Sequence, residues 1–279
     1  MTISLPLAGL SAWLRSEIAG AAPGSTAILA GHFAIFTTGG TAVDFLDDAR
    51  VPPGVPVDLI EFTRVTWTAA CEAVAAERER HARLVVLVDD IQFVRPALDD
   101  RGAAERLGAA LAATYLRRNG SLPPWHARVM EAHGMAEDAI LAHSDHRWLF
   151  SERELRAELV RTLKELLRSG LPRATGLATS ADRSRITITD PEYGEYCLVH
   201  SGHTNCAGGF VELLADVRRM GVRKLIALVP MRCLGPITVG TALGARLFGL
   251  DGLQVVNVAV PDISSGLPAS LVSPPGVRA

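Results

Sequence analysis

Three kinds of apolar pattern divide the chain. Leu10, Trp13, Leu14 and Ile18 in "LSAWLRSEIAGAA" fall three or four residues apart, which predicts a helix stopped by "PGS". "TAILAGHFAIFTTGG" is rich in β-formers, broken at Gly31 and ended by the turn signal Gly39-Gly40, so it reads as a hairpin or as one bulged strand. After the proline-rich "RVPPGVP" come "VDLIEF", the helix "WTAACEAVAAERERH" and the strand "RLVVLVDD". That last run is apolar without interruption, as in a strand covered on both faces of a parallel sheet.

Residues 99–170 change character. "DDRGAAERLGAALAATYLRRNG", "PPWHARVMEAHGMAEDAILAHS" and "SERELRAELVRTLKELLRSG" carry helical spacing and no strand signal. Ser151 and Glu154 make a capping box for the last of these, and Gly170 closes it. "RITITDPEYGEYCLVHSG" then reads as a hairpin turning at Asp190-Pro191, or as two separate strands. Beyond it the strand "YCLVHS", the helix "GGFVELLADVRRMG", the strand "KLIALVPM", the helix "ITVGTALGARLFG" and the strand "LQVVNVAVP" alternate. Alternation of this kind implies β-α-β crossovers and a mostly parallel sheet.

The expected fold is therefore α/β: a single domain over residues 1–279, built as a three-layer sandwich. Its parts are an N-terminal αβ portion (1–98), a helical block (99–170), a C-terminal βαβαβ portion (171–262) and a proline-rich tail (263–279). Ligands of such sheets bind outside the carboxyl ends of the strands. The strand ends "VDDIQ", "HSGHTNC" and "PMRC" would then bring Asp89, Asp90, His203, Cys206 and Cys233 to one edge.

Composition narrows the setting. With 48% apolar residues, 279 residues suffice for a sizeable core. A formal net charge of −2 gives no global field to hold DNA or an anionic membrane, so the expected partner is a small-molecule substrate. A homo-oligomer is compatible with the same composition. Four scattered cysteines form no disulfide framework, the first 20 residues do not pattern as a signal peptide, and no apolar run has the length of a membrane span. Together these point to the reducing cytoplasm.

Chemistry concentrates in "CLVHSGHTNCAGG", where Cys197, His200, His203 and Cys206 recur at every third position. The leading expectation is a cysteine nucleophile for hydrolysis or acyl transfer at an amide- or ester-type carbon. Cys206 falls at a helix start directly after a strand, where unpaired N–H groups and the helix dipole favour a thiolate. The same N–H groups can stabilise an oxyanion, and Gly208 and Gly209 let a substrate approach the first turn. His203 or His200 would orient or deprotonate the thiol, and an aspartate at a neighbouring strand tip would accept the proton. No cofactor is then needed.

The alternative is zinc, held by His200, His203 and Cys206 with Cys233 or an aspartate. Strand alternation in "YCLVHS" places Cys197 and His200 on opposite faces, which removes Cys197 from that set and leaves it as packing. Cys71, in an alanine-rich helix, reads as core. His126, His133, His143 and His146 lie in the helical block and read as surface or capping residues.

The run "CLVHSGHTNCAGGFVELLADVRRMGVRKLIALVPMRC" resembles the strand–loop–helix–strand of isochorismatase-like cysteine hydrolases, the group that includes nicotinamidases. "LVVLVDDIQ" is similar to that family's Leu-Val-x-Asp-Met-Gln strand. The resemblance implies a Cys–Asp–Lys triad with Cys206 as nucleophile and Asp90 as catalytic carboxylate, Thr204 and Asn205 shaping the loop. Here Thr-Asn is followed at once by Cys206, and the only lysines are Lys164, in a helix, and Lys224, after the nucleophile. In layout the chain also resembles cyclodipeptide synthases, which would make it a Rossmann-like transferase, although the serine and Tyr-x-x-Glu pair of that group are absent. "VVLVDDIQF" has the look of a Walker B strand, but no G-x-x-x-x-G-K-[ST] loop accompanies it. A non-catalytic ligand-binding protein, with the quartet structural, is the remaining expectation.

Overall fold

The computed structural model of the chain describes residues 1–33, 35–38, 41–44, 57–88, 124–135, 140–144, 153–169, 176–179, 185–190, 194–200, 203–204, 206–230 and 234–260. Six of the described strands form one sheet in which every neighbouring pair is parallel. Their order is β1 (Thr2–Ser4), β12 (Gln254–Val260), β11 (Lys224–Pro230), β2 (Thr26–Phe33), β5 (Arg83–Val88) and β6 (Ile140–Ser144). The central strands are apolar on both faces because both faces are covered.

Alternation along the strands sends side chains to two separate interiors. Ile28, Leu84, Ile226 and Val258 meet α1 (Leu10–Ala19), α2 (Val57–Ala76) and α3 (Pro124–Ala132), through residues such as Leu14, Ile18, Trp67, Cys71 and Val129. Leu29, Val85, Leu225, Ala227 and Val229 meet α5 (Cys206–Arg219) and α6 (Leu234–Phe248) on the other side. Phe210, Leu213, Leu214 and Val217 of α5 repeat at the three- and four-residue spacing that keeps one helix face on the sheet. Each such side chain stabilises the fold by roughly 1.5–3 kcal/mol through burial. The sandwich is thus α/β with three layers, as its alternating pattern implies. Burial raises the pKa of the Cys71 thiol, which sits in the first interior as expected.

A second sheet stands apart from the parallel one. It is antiparallel, with the order β10 (His203–Thr204), β9 (Gly194–His200), β8 (Arg185–Asp190) and β7 (Gly176–Thr179). A two-stranded hairpin, β3 (Ile35–Thr38) with β4 (Thr41–Asp44), follows β2.

Four expectations change. "YCLVHS" is part of β9 and pairs with β8 and β10, so it is not a strand of the parallel sheet. A hairpin reverses the chain before α5, where continuous β-α-β alternation was expected. The helical block contains a strand: Ile140–Ser144 is β6 and pairs with β5. Its five residues are too few for periodicity to separate them from the preceding helical pattern. "VDLIEF" is the first stretch of α2. The run around Gly31 is both things at once, a strand with a register shift between Leu29 and His32 and then a hairpin turning at Gly39-Gly40. The helix expected at 99–120, the cap at Ser151, the stop at Gly170 and the tail lie outside the described residues.

In the block that remains, α4 (Arg153–Arg168) packs against α6, with Leu163 and Leu166 buried and Lys164 exposed. Among the described residues no helix is long and apolar enough to cross a membrane.

Candidate functional site

The site is defined by where the backbone brings the expected residues. Chain order moves outward from β2 in both directions, through β5 to β6 on one side and through β11 to β12 on the other. The carboxyl ends of β2 and β11 therefore flank a topological switch point, the place where such sheets open a crevice. β11 ends at Pro230, three residues before Cys233, and β5 ends at Val88, directly before Asp89 and Asp90.

α5 leads into β11 and runs back along it. Its 14 residues span about 21 Å. The seven residues of β11 span about 23 Å. The two are joined by the short turn at Gly221, whose positive φ of 79° suits glycine. Cys206, the first residue of α5, is therefore level with the carboxyl edge of the parallel sheet. Gly208 and Gly209 lie in its first turn. Asp89, Asp90, Asn205 and Cys233 lie outside the described residues.

His203 and Thr204 form β10, and His200 ends β9. His203 is the direct antiparallel partner of His200, and Thr204 of Val199. Directly opposed residues share a face, with Cβ atoms about 4.5–5.5 Å apart. The row extends one strand further, because Arg185 on β8 is the partner of His200.

The register then shifts. Ile186 pairs with Val199, but Thr187 pairs with Cys197, so one residue of β9, Leu198, is extra. This corrects the expectation that Cys197 and His200 face opposite ways. Their partners Thr187 and Arg185 are two apart on β8 and share a face, so Cys197 and His200 share it too. One face of this sheet collects Arg185, Thr187, Thr189, Glu195, Cys197, His200 and His203. The other collects Leu177, Ile186, Ile188, Tyr196 and Val199, and Ile188 on it is fully buried. Sequence reading missed Arg185 and returned Cys197 to the core. The polar and apolar split of β8 alone was available to find the first.

The two lysines have other places. Lys224 opens β11 at the amino end of the sheet, opposite to Cys206, and is ion-paired with Glu17 of α1. Lys164 is exposed on α4. Among the described side chains no group of three or more His, Cys, Asp and Glu is arranged to hold a metal.

No protein-family model matches the chain, and no curated protein does. Solved structures with partial likeness include three arginyl-tRNA synthetases. That of Campylobacter jejuni has 10% identity and a TM-score of 0.39 over 92% of this chain. That of Plasmodium falciparum has 9% and 0.35 over 90%, and that of Thermus thermophilus 12% and 0.35 over 94%. The chain spans 60%, 48% and 54% of those three chains, respectively.

Electrostatically, the start of α5 favours a nearby anion. The N–H groups of the first turn of α5 have no partner within the helix, and the helix dipole adds partial positive charge there. At the same end, Arg185, His200 and His203 occupy directly partnered positions of β8, β9 and β10.

Proposed function

We propose that the chain is a small-molecule enzyme that uses Cys206 as nucleophile, in hydrolysis or acyl transfer at an amide- or ester-type carbon. The observation that supports this reading is the position of Cys206: first residue of α5, two residues beyond β10, level with the carboxyl edge at which β5 and β11 end. The thiolate attacks the carbonyl carbon while first-turn N–H groups receive the developing oxyanion. The leaving nitrogen or oxygen departs with a proton, and water or an acceptor then releases the acyl group from sulfur. His203 orients the thiol and Asp90 takes its proton. Thr204, Asn205, Gly208 and Gly209 shape the substrate's approach, with Asp89, His200 and Cys233 around it. The resemblance to isochorismatase-like hydrolases points the same way.

The test is the pH dependence of Cys206 alkylation by iodoacetamide, read by peptide mass spectrometry against buried Cys71. A free thiol has a pKa of about 8.5. A midpoint well below that value is the expected result. Alkylation as slow as that of Cys71 at every pH would sink the nucleophile.

A second reading is favoured by a different observation, the direct cross-strand pairing of His200 with His203. Two histidines at paired positions, with Cys206 two residues past the end of β10, are the residue types that a zinc ion takes. In this case Cys206 resists alkylation until a chelator is added.

A further inference from the structure

We infer that α3 is a proton-responsive clasp: it lifts from α2 and takes up a proton on His126 while the parallel sheet stays closed. The basis is the interface that the two helices share. α3 turns Trp125, His126, Val129 and Met130 inward, and all four are buried. The imidazole of His126 is flanked by two indoles in edge-to-face contact. Trp67 of α2 stands 4.9 Å away between ring centroids, and Trp125 of its own helix 5.5 Å. Trp67 Nε1 also donates to the His126 carbonyl at 3.2 Å, so one indole holds both the ring and the backbone of that residue. At the other end of α3, Arg78 in the single turn Arg78–Arg80 donates from Nη2 to the His133 carbonyl at 2.9 Å. Among the described residues, α2 is the element against which α3 packs most.

A proton does not join this arrangement in place. Burial opposes the charged form of an imidazole, because the protein interior does not solvate it as water does. The proton affinity of His126 is accordingly held far below its ordinary value, and burial is the cause. The other charged and titratable groups of the two helices do not reverse that. On α2, Glu61 and Arg64 are half-buried, Cys71 is buried and Glu72 is exposed. On α3, Arg128 and Glu131 are exposed and His133 is half-buried.

Proton uptake therefore goes with opening. α3 has nine residues, and an isolated helix shorter than about 12–15 residues is marginal in water. Lifted from α2 it keeps little of its helix, so its backbone N–H groups reach solvent together with the imidazole. The open form regains an ordinary histidine, with a pKa of about 6.5. Below that value each unit of pH favours the open form about tenfold, and above it neither form binds the proton and the balance is flat. The central strands do not depend on the clasp. β5, β2 and β11 pair side by side and are covered by α1 and α2 on one face and by α5 and α6 on the other.

The experiment is native-state hydrogen exchange of the full chain at pH 7 and pH 5. It is read by mass spectrometry of peptides covering Pro124–Ala132 and Lys224–Pro230, each rate being divided by its intrinsic rate at that pH. Protection of the α3 peptide is expected to lie well below that of the β11 peptide at both pH values. It is also expected to fall about 25-fold from pH 7 to pH 5, and His126→Gln is expected to remove that fall.

The wild-type comparison stands on its own if the variant folds poorly. Protection of α3 that does not change with pH means that opening leaves the imidazole buried. Protection equal to that of β11 means that α3 opens only when the whole molecule does. Either result overturns the inference, as does a fall that persists undiminished in a folded His126→Gln.

Discussion

His126 shows how one residue can escape its sequence context. It lies near "PPW" in a block of helical spacing and reads as surface, yet it is fully buried between Trp67 and Trp125, with ring centroids 4.9 and 5.5 Å away. Its carbonyl accepts a hydrogen bond from Trp67 Nε1 at 3.2 Å, tying α2 to α3. Burial pushes the pKa of the imidazole down to about 3. The unfolded value is about 6.5. Between those values the unfolded chain binds a proton that the folded chain does not, so stability present above about pH 6.5 is lost as the pH falls, by about 1.4 kcal/mol per unit. Denaturant titrations at pH 7 and pH 5 should differ by about 2 kcal/mol from this group. His126→Gln should show a shallower fall, and an unchanged slope would mean that His126 is not the group responsible. Cys71 was legible, because an alanine-rich amphipathic stretch states which face is inside. A single histidine carries no period, so its burial was not.

Among the elements, α1, β5, β11 and β12 and most of α5 and α6 were legible, since each has its own periodicity or unbroken apolar run. Within the candidate site, "YCLVHS" was legible as a strand and misread in its register. Leu198 is an ordinary strand former, so nothing in "YCLVHS" announces an extra residue, and a hidden shift of one exchanges faces for everything beyond it. β10, only two residues long, was equally silent. The contact of α5 with α6 gives a prediction of its own. A Cβ on Gly244 would stand 2.7 Å from Leu214 Cδ1 and 3.2 Å from Leu250 Cδ1. Leu214 is fully buried and has little room to yield. Gly244→Val should therefore lower stability by about 2 kcal/mol through overpacking, measured by chemical denaturation. A variant as stable as the wild type would mean that the two helices can separate without loss.

Across the whole molecule, strand order was the part that pattern could not supply, because periodicity names elements without saying which of them pair. The order places β2 and β11 in the middle of the parallel sheet and the three-residue β1 at its edge. Hydrogen exchange should accordingly be slowest in peptides covering Lys224–Pro230 and Thr26–Phe33, and faster in Thr2–Ser4. Equal protection at the edge would argue for a larger cooperative unit. The sheet also keeps two interiors apart: Ile18 belongs to one and Ile237 to the other. Ile18→Val and Ile237→Val should each cost about 0.5–1.5 kcal/mol. Their double variant should match the sum within about 0.3–0.5 kcal/mol. That partition also bears on redesign. Substitutions confined to the interior under α5 and α6 leave the packing of α1–α3 on the opposite face of the same strands untouched, so each side can be rebuilt while the other holds the sheet.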